Sequence, residues 1–278
     1  MTRALVLGGG GVAGIAWEIG VLAGLAEGGV DVTRPDLVVG TSAGASVAAQ
    51  ITSDLGLPEL LRRQVEPGAQ APELAADFDL DRLAEVFGFA DGDTDPVEVR
   101  RRIGQTALAA PTVAEGRRRE VIAARVPVDA WPATPLRLVA VDAATGLERV
   151  FDADSGVGLV DAVTASCAVP VIWPPVTIGG ARYVDGGVRS AENADLARGH
   201  DVVLVLRAMV VEEVDTLTPQ VEALRADGSE VLVVDVDEAG LAAIGPNPLD
   251  PTTREPVARA GRLQGLALAD EVGAAWGR

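Results

Sequence analysis

The sequence contains no lysine, one histidine and one cysteine among its 278 residues, and each shortage removes a class of chemistry. Without lysine there is no Schiff-base nucleophile and no P-loop lysine to hold a transferring phosphate. The single cysteine, Cys167, excludes an internal disulfide and any cysteine-built zinc cluster. It fits a reducing compartment, so the expected location is cytoplasmic. The single histidine, His200, means that a Ser-His-Asp triad must recruit that residue or not exist. No apolar run approaches the length of a membrane span. The opening stretch Met1 to Leu7 passes into glycines after a short apolar run, too brief for a secretion-signal core, so no such signal is expected.

What is present is a large apolar fraction, 48% of residues, enough for a substantial core and for one α/β domain over residues 1–278. Acidic residues outnumber basic ones, 41 to 23, for a formal charge of −18. Such a field repels polyanions, so nucleic acid is not an expected partner, and contact with an anionic membrane gains no electrostatic help. Neutral or zwitterionic substrates stay open.

The organising stretch is Val38-Val39-Gly40-Thr41-Ser42-Ala43-Gly44. An apolar strand from Leu37 to Val39 runs into Gly-x-Ser-x-Gly and then into small helix formers, the context of a nucleophile elbow. Ser42 then stands at a helix N-terminus, where unpaired N–H groups and the dipole favour an oxyanion. The alternative is a glycine-rich turn with a helix-capping serine.

Upstream, Ala4 to Leu7 predicts a buried strand, followed by Gly8 to Gly14 and a helix with Ile15, Ile19, Leu22 and Leu25 at helical spacing, ending near Gly28-Gly29. A strand, a glycine loop and a helix form an anion cradle. Gly9-x-Gly11-x-x-Gly14 matches a dinucleotide fingerprint, but that use wants an acidic residue near the end of the second strand, where Gly40-Thr41-Ser42 stands. The favoured use is an oxyanion hole beside the elbow.

Residues 58–125 differ in character: helical, polar, broken by prolines, with an acidic patch at 91–95 and arginine runs at 100–102 and 117–119. This segment predicts a helical insertion on one face of the sheet. It is either a substrate cap containing Phe78, Phe87 and Phe89 or ordinary cover with solvated charges. Further strands are expected at 136–141 and 147–151, a helix over 159–168, and a hairpin turning at Gly179-Gly180 that delivers Asp185-Gly186-Gly187. Asp185 is then held on a tight turn, free to point across the sheet or to bond its own backbone. Ser166 and Cys167 read as packing residues. Strands at 202–206 and 231–236 alternate with helices at 219–226 and 254–276, which argues for a mainly parallel, layered sheet. His200 falls at the N-terminal end of its strand, away from the edge where such sheets hold ligands.

Taken together, the glycine loop of Gly9, Gly10, Gly11, Val12, Ala13 and Gly14, the elbow Gly40-Thr41-Ser42-Ala43-Gly44 and the turn Asp185-Gly186-Gly187 stand in an order and spacing that resemble the patatin-like phospholipases over most of residues 4–206. Ala165 to Pro170 with Pro174-Pro175 also looks like that family's approach to its aspartate. The resemblance implies a three-layer α/β/α fold and ester hydrolysis by a Ser-Asp dyad without histidine, metal or cofactor. It implies Ser42 as nucleophile, Asp185 as base, the Gly9 to Gly14 loop as oxyanion hole and a lipid or acyl ester as substrate, met in transient contact with a membrane. One position departs: where the family's loop carries a basic residue before its last glycine, this sequence has Ala13. The alternatives are a catalytically silent relative that binds lipid or protein, a dinucleotide-dependent oxidoreductase, and a triad hydrolase using His200.

Overall fold

The computed structural model describes residues 1–76, 85–88, 94–209 and 215–277. Its centre is an eight-stranded sheet of β1 (Arg3–Leu7), β2 (Leu37–Gly40), β3 (Leu136–Asp142), β4 (Glu148–Phe151), β5 (Val176–Ile178), β6 (Ala181–Asp185), β7 (Val202–Arg207) and β8 (Glu230–Asp235). The strands β3-β2-β1-β7-β8 run parallel, while β4 and β6 pair antiparallel to β3, and β5 to β6.

Side-chain alternation divides the sheet into two buried faces. Leu5, Leu7, Val38, Leu138, Leu204 and Leu206 enter one apolar cluster; Ala4, Val6, Val39, Val203 and Val205 enter another. Strands buried on both faces need helices on both. The first face is covered by α1 (Gly11–Glu27), α2 (Ala43–Ile51), α3 (Leu57–Val65), α6 (Leu159–Ser166) and α9 (Arg254–Trp276), the second by α7 (Leu217–Ala226). The result is the expected three-layer α/β/α architecture. Two further helices, α4 (Pro96–Ala109) and α5 (Glu115–Arg125), follow α3 in the insertion, and α8 (Glu238–Ile244) precedes α9.

The insertion packs more than it projects. Leu60, Ile103, Ala107, Val121 and Ile122 are all buried, and Ile103 and Ala107 lie with Val141 and Val184 at the far ends of β3 and β6. Phe87 is half-buried and packs against this cluster, while Phe78, Phe89 and residues 91–93 of the acidic patch lie outside the described residues. Among the described residues, no helix is long and apolar enough to cross a membrane.

The register around β3 positions the site. Leu138 pairs with Gly40 on one edge and Phe151 on the other, and Ala140 pairs with Arg149 and Asp185. Because β4 takes one edge throughout, β2 and β6 share the other. They approach from opposite directions, so the end of β2 at Gly40 and the end of β6 at Asp185 meet two positions apart along β3.

Candidate active site

At that meeting point the chain turns sharply. Ser42 adopts φ 53 and ψ −112, a conformation that costs a side-chain-bearing residue on the order of 1–3 kcal/mol. Gly44 makes the turn possible: a Cβ there would lie 2.0 Å from the Leu7 carbonyl oxygen, so α2 leaves directly against β1. The Gly44 N–H donates to Gly8 O at 2.9 Å and that of Thr41 to Leu7 O at 3.0 Å, lacing the elbow to the strand that feeds the glycine loop.

Two neighbouring side chains clamp the peptide groups of Ser42. Its N–H donates to Ser166 Oγ at 3.0 Å, and the Cys167 thiol donates to its carbonyl at 3.0 Å. Sequence reasoning treated Ser166 and Cys167 as packing residues; their bonds to Ser42 span more than a hundred residues, and no local pattern signals them. Burial pushes the Cys167 thiol up to about 11, with the Asp185 charge adding to the rise, so it stays a neutral donor.

Asp185 is buried, and it bonds its own backbone as a turn aspartate does. Oδ1 accepts the Gly187 N–H at 2.7 Å, a turn that fixes the carboxyl. Oδ2 is buried without a hydrogen-bond partner. Burial raises the pKa to about 7, opposed by the Gly187 N–H, the Ser42 hydroxyl and the Arg118 guanidinium. Ser42 is thus close enough to act on the carboxyl, yet does not satisfy Oδ2. Catalytic hydrogen bonds are often loose before substrate arrives. The loop of Asp185 is tied to the elbow by Asn193, whose side-chain amide donates to Thr41 Oγ1 at 3.0 Å and to Gly186 O at 3.4 Å.

The glycine loop lies against the same turn. A Cβ on Gly9 would stand 3.8 Å from Ser42 Cβ, and one on Gly14 3.2 Å from Ala43 Cβ. The expectation of six convergent donors narrows, because Gly9 N–H is bonded to Ala191 O, Ala13 N–H to Pro248 O and Gly14 N–H to Gly10 O. The N–H groups of Gly10, Gly11, Val12 and, after the serine, Ala43 take no partner among the described residues. Gly11 holds φ +64, a left-handed conformation, and a Cβ there would lie 2.7 Å from Leu249 Cδ2 and 2.8 Å from Pro248 O. That same Pro248 contact occupies a donor at the α1 N-terminus, where a dinucleotide would need its pyrophosphate.

Positive charge missing at Ala13 is present on α5: Arg118 lies 3.8 Å over the ring centroid of Trp173 and acts on Asp185. His200 sits before β7, at the opposite end of the parallel strands from Ser42, with Nδ1 2.9 Å from Ala197 O.

The family model described as "Patatin-like phospholipase" matches residues 5–198. The solved structure of VipD from Legionella pneumophila superposes with a TM-score of 0.50 at 14% identity, covering 97% of this chain and 67% of that one. The type III effector protein ExoU gives a TM-score of 0.43 at 15% identity, covering 97% of this chain and 53% of that one, so this chain spans about half of ExoU. At such identities the likeness is one of fold. No curated protein matches the sequence.

Proposed function

Because the chain belongs to the patatin-like phospholipase family, a family of lipid acyl hydrolases, we propose that it hydrolyses carboxylic esters of lipids with Ser42 as nucleophile and Asp185 as its base. The supporting observation is the pairing itself: a serine on a strained elbow next to a buried carboxyl whose pKa lies about 7 and whose Oδ2 has no partner.

In this reading Asp185 accepts the Ser42 hydroxyl proton as the oxygen attacks the ester carbonyl. The developing oxyanion is met by the free N–H groups at Gly10, Gly11 and Val12, with Ala43 completing the arrangement from the elbow. The proton passes to the leaving alcohol. Water, activated by the same carboxylate, then releases the fatty acid from Ser42. Burial is what makes an aspartate adequate here, since an ordinary carboxylate is too weak a base near neutrality. Serine, carboxylate, N–H donors and water account for every proton, so the reaction as proposed uses no cofactor. Residues 1–278 act as one hydrolase domain, with α3, α4 and α5 of the insertion as its cover.

A fluorophosphonate, which phosphonylates an activated serine, tests this reading. Intact-mass and peptide analysis should find one adduct, on Ser42, lost in Asp185→Asn. No adduct in the folded protein would instead mark a silent lipid- or protein-binding member of the family.

A further inference from the structure

Three arginines converge on one glutamate in the interior beside this site. Arg118 and Arg125, a helical heptad apart on α5, and Arg254, the first residue of α9, are all buried. Arg118 Nη1 lies 2.7 Å from Glu73 Oε1, Arg125 pairs with the same carboxylate, and Arg254 Nη2 stands 3.9 Å from Oε2. Three guanidinium groups against Glu73 leave an excess of two positive charges, falling to one when Asp185, which acts on Arg118, is ionised. Arg118 Nε and Arg125 Nε are buried without hydrogen-bond partners. Uncompensated buried charge is costly.

On the surface two arginines can share one glutamate, as Arg101 and Arg102 share Glu98, but other arginines have two carboxylates each. Arg62 is shared by Glu59 and Glu66, Arg119 by Asp129 and Asp161, and Arg189 by Glu148 and Asp195. In a chain of 41 acidic and 23 basic residues, carboxylates were available to balance this cluster too. A cluster that only fastened α5 to α9 gains nothing from a positive excess.

Two of the three arginines, Arg125 and Arg254, line a cavity of about 60 Å³ together with Arg63, Gln50, Gln64 and Val12 among others, with no carboxylate in its wall. Val12 carries one of the free N–H groups of the glycine loop, so cavity and loop share a wall. Asp185, which acts on Arg118, is the acidic group facing the cluster from the other side.

We propose that this cavity binds a phosphomonoester-class anion, carried on the substrate as its head group or free in solution. A phosphomonoester brings about 1.5 to 2 negative charges near neutral pH, against the one to two of the cluster, and its oxygens suit guanidinium forks. A phosphodiester brings one charge and a bulkier substituent. The step from anion site to substrate preference rests on the acyl-hydrolase reading; the site itself does not.

The test has two arms on the full chain. In the first, thermal stability is followed with rising inorganic phosphate at fixed ionic strength, against chloride, in the parent, in Arg254→Gln and in the surface control Arg62→Gln. In the second, fatty-acid release is compared for lysophosphatidate, lysophosphatidylcholine and monoacylglycerol of one chain length in mixed micelles.

Saturable stabilisation by phosphate in the parent and in Arg62→Gln, at least halved in Arg254→Gln, supports the site. A tenfold or greater kcat/KM for lysophosphatidate over both other esters assigns it to the substrate head group; phosphate stabilisation without that preference assigns it to a free anion. No stabilisation together with equal use of the three esters overturns the proposal and leaves the hydrolase reading intact. If no ester is cleaved, the hydrolase reading fails, and the phosphate arm alone still decides the site. Should Arg254→Gln not fold, Glu73→Gln takes its place: removal of the internal carboxylate is expected to tighten phosphate binding, and unchanged binding counts against the site.

Discussion

Ser166 Oγ accepts the N–H of Ser42 at 3.0 Å, and its neighbour Cys167 donates to the carbonyl of the same serine, so both peptide groups of the strained residue are held from α6. An orphaned buried N–H costs about 1–3 kcal/mol. Ser166→Ala is therefore expected to lower kcat by roughly tenfold or more with little change in KM, because tenfold corresponds to about 1.4 kcal/mol of barrier. Cys167→Ser keeps a donor and should retain most activity; Cys167→Val removes it and should not. Steady-state kinetics on a soluble ester reads all three, and a loss confined to KM would contradict the clamp.

Strain at the elbow predicts a trade between stability and activity. Ser42→Gly removes both the proposed nucleophile and the Cβ that disfavours φ 53. Its melting temperature is expected to rise above the parent's while ester hydrolysis disappears, since positive φ is open to glycine without steric cost. Gly44→Ala is expected to behave in the opposite way: a Cβ 2.0 Å from Leu7 O forces α2 off β1, so expression or melting temperature should collapse.

Asp185 gives a pH signature with a defined sign. As the proposed base its carboxyl must be ionised, so kcat/KM should rise with pH through a midpoint near 7. Stability runs the other way. The folded-state pKa lies above that of an unfolded aspartate, so the contribution of this group is full below about pH 4 and is lost as pH rises through about 7. Asp185→Asn does not titrate. It should match the parent at pH 4 and exceed it in chemical denaturation at pH 8, while remaining inactive at both. Glu192, raised to about 7 by burial, and Glu18, raised well above the ordinary range by burial, push parental stability in the same direction.

His200→Ala is expected to leave turnover unchanged within about twofold, because His200 and Ser42 stand at opposite ends of the parallel strands. A large loss of kcat in that variant would revive a histidine triad.

The elbow, the glycine loop and the Gly179-Gly180 hairpin were legible in the sequence because each is a local pattern whose steric demands show in the residues themselves. Their convergence was legible only through the family resemblance. The reason that Asp185 meets Ser42 is a register relation, β2 and β6 sharing one edge of β3, which no window of sequence contains. Ser166 and Cys167 read as packing residues, and the Arg118-Arg125-Arg254 cluster was not foreseen, for the same reason: their partners lie far away in the chain. The helix expected to run to residue 168 stops at Ser166, and Cys167 leaves helical geometry with its thiol turned to the elbow. The short helix α8 was missed, although Asp237 caps it by accepting the Gly240 N–H. Its seven residues are too few for apolar periodicity to register.

The Ser42-Asp185 pairing is best probed by hydrolysis of p-nitrophenyl esters of increasing acyl length, by the parent beside Ser42→Ala and Asp185→Asn. Turnover is expected in the parent and its loss in both variants, each folded by circular dichroism. Turnover that survives either substitution, or a folded parent inert toward every ester, would contradict that pairing.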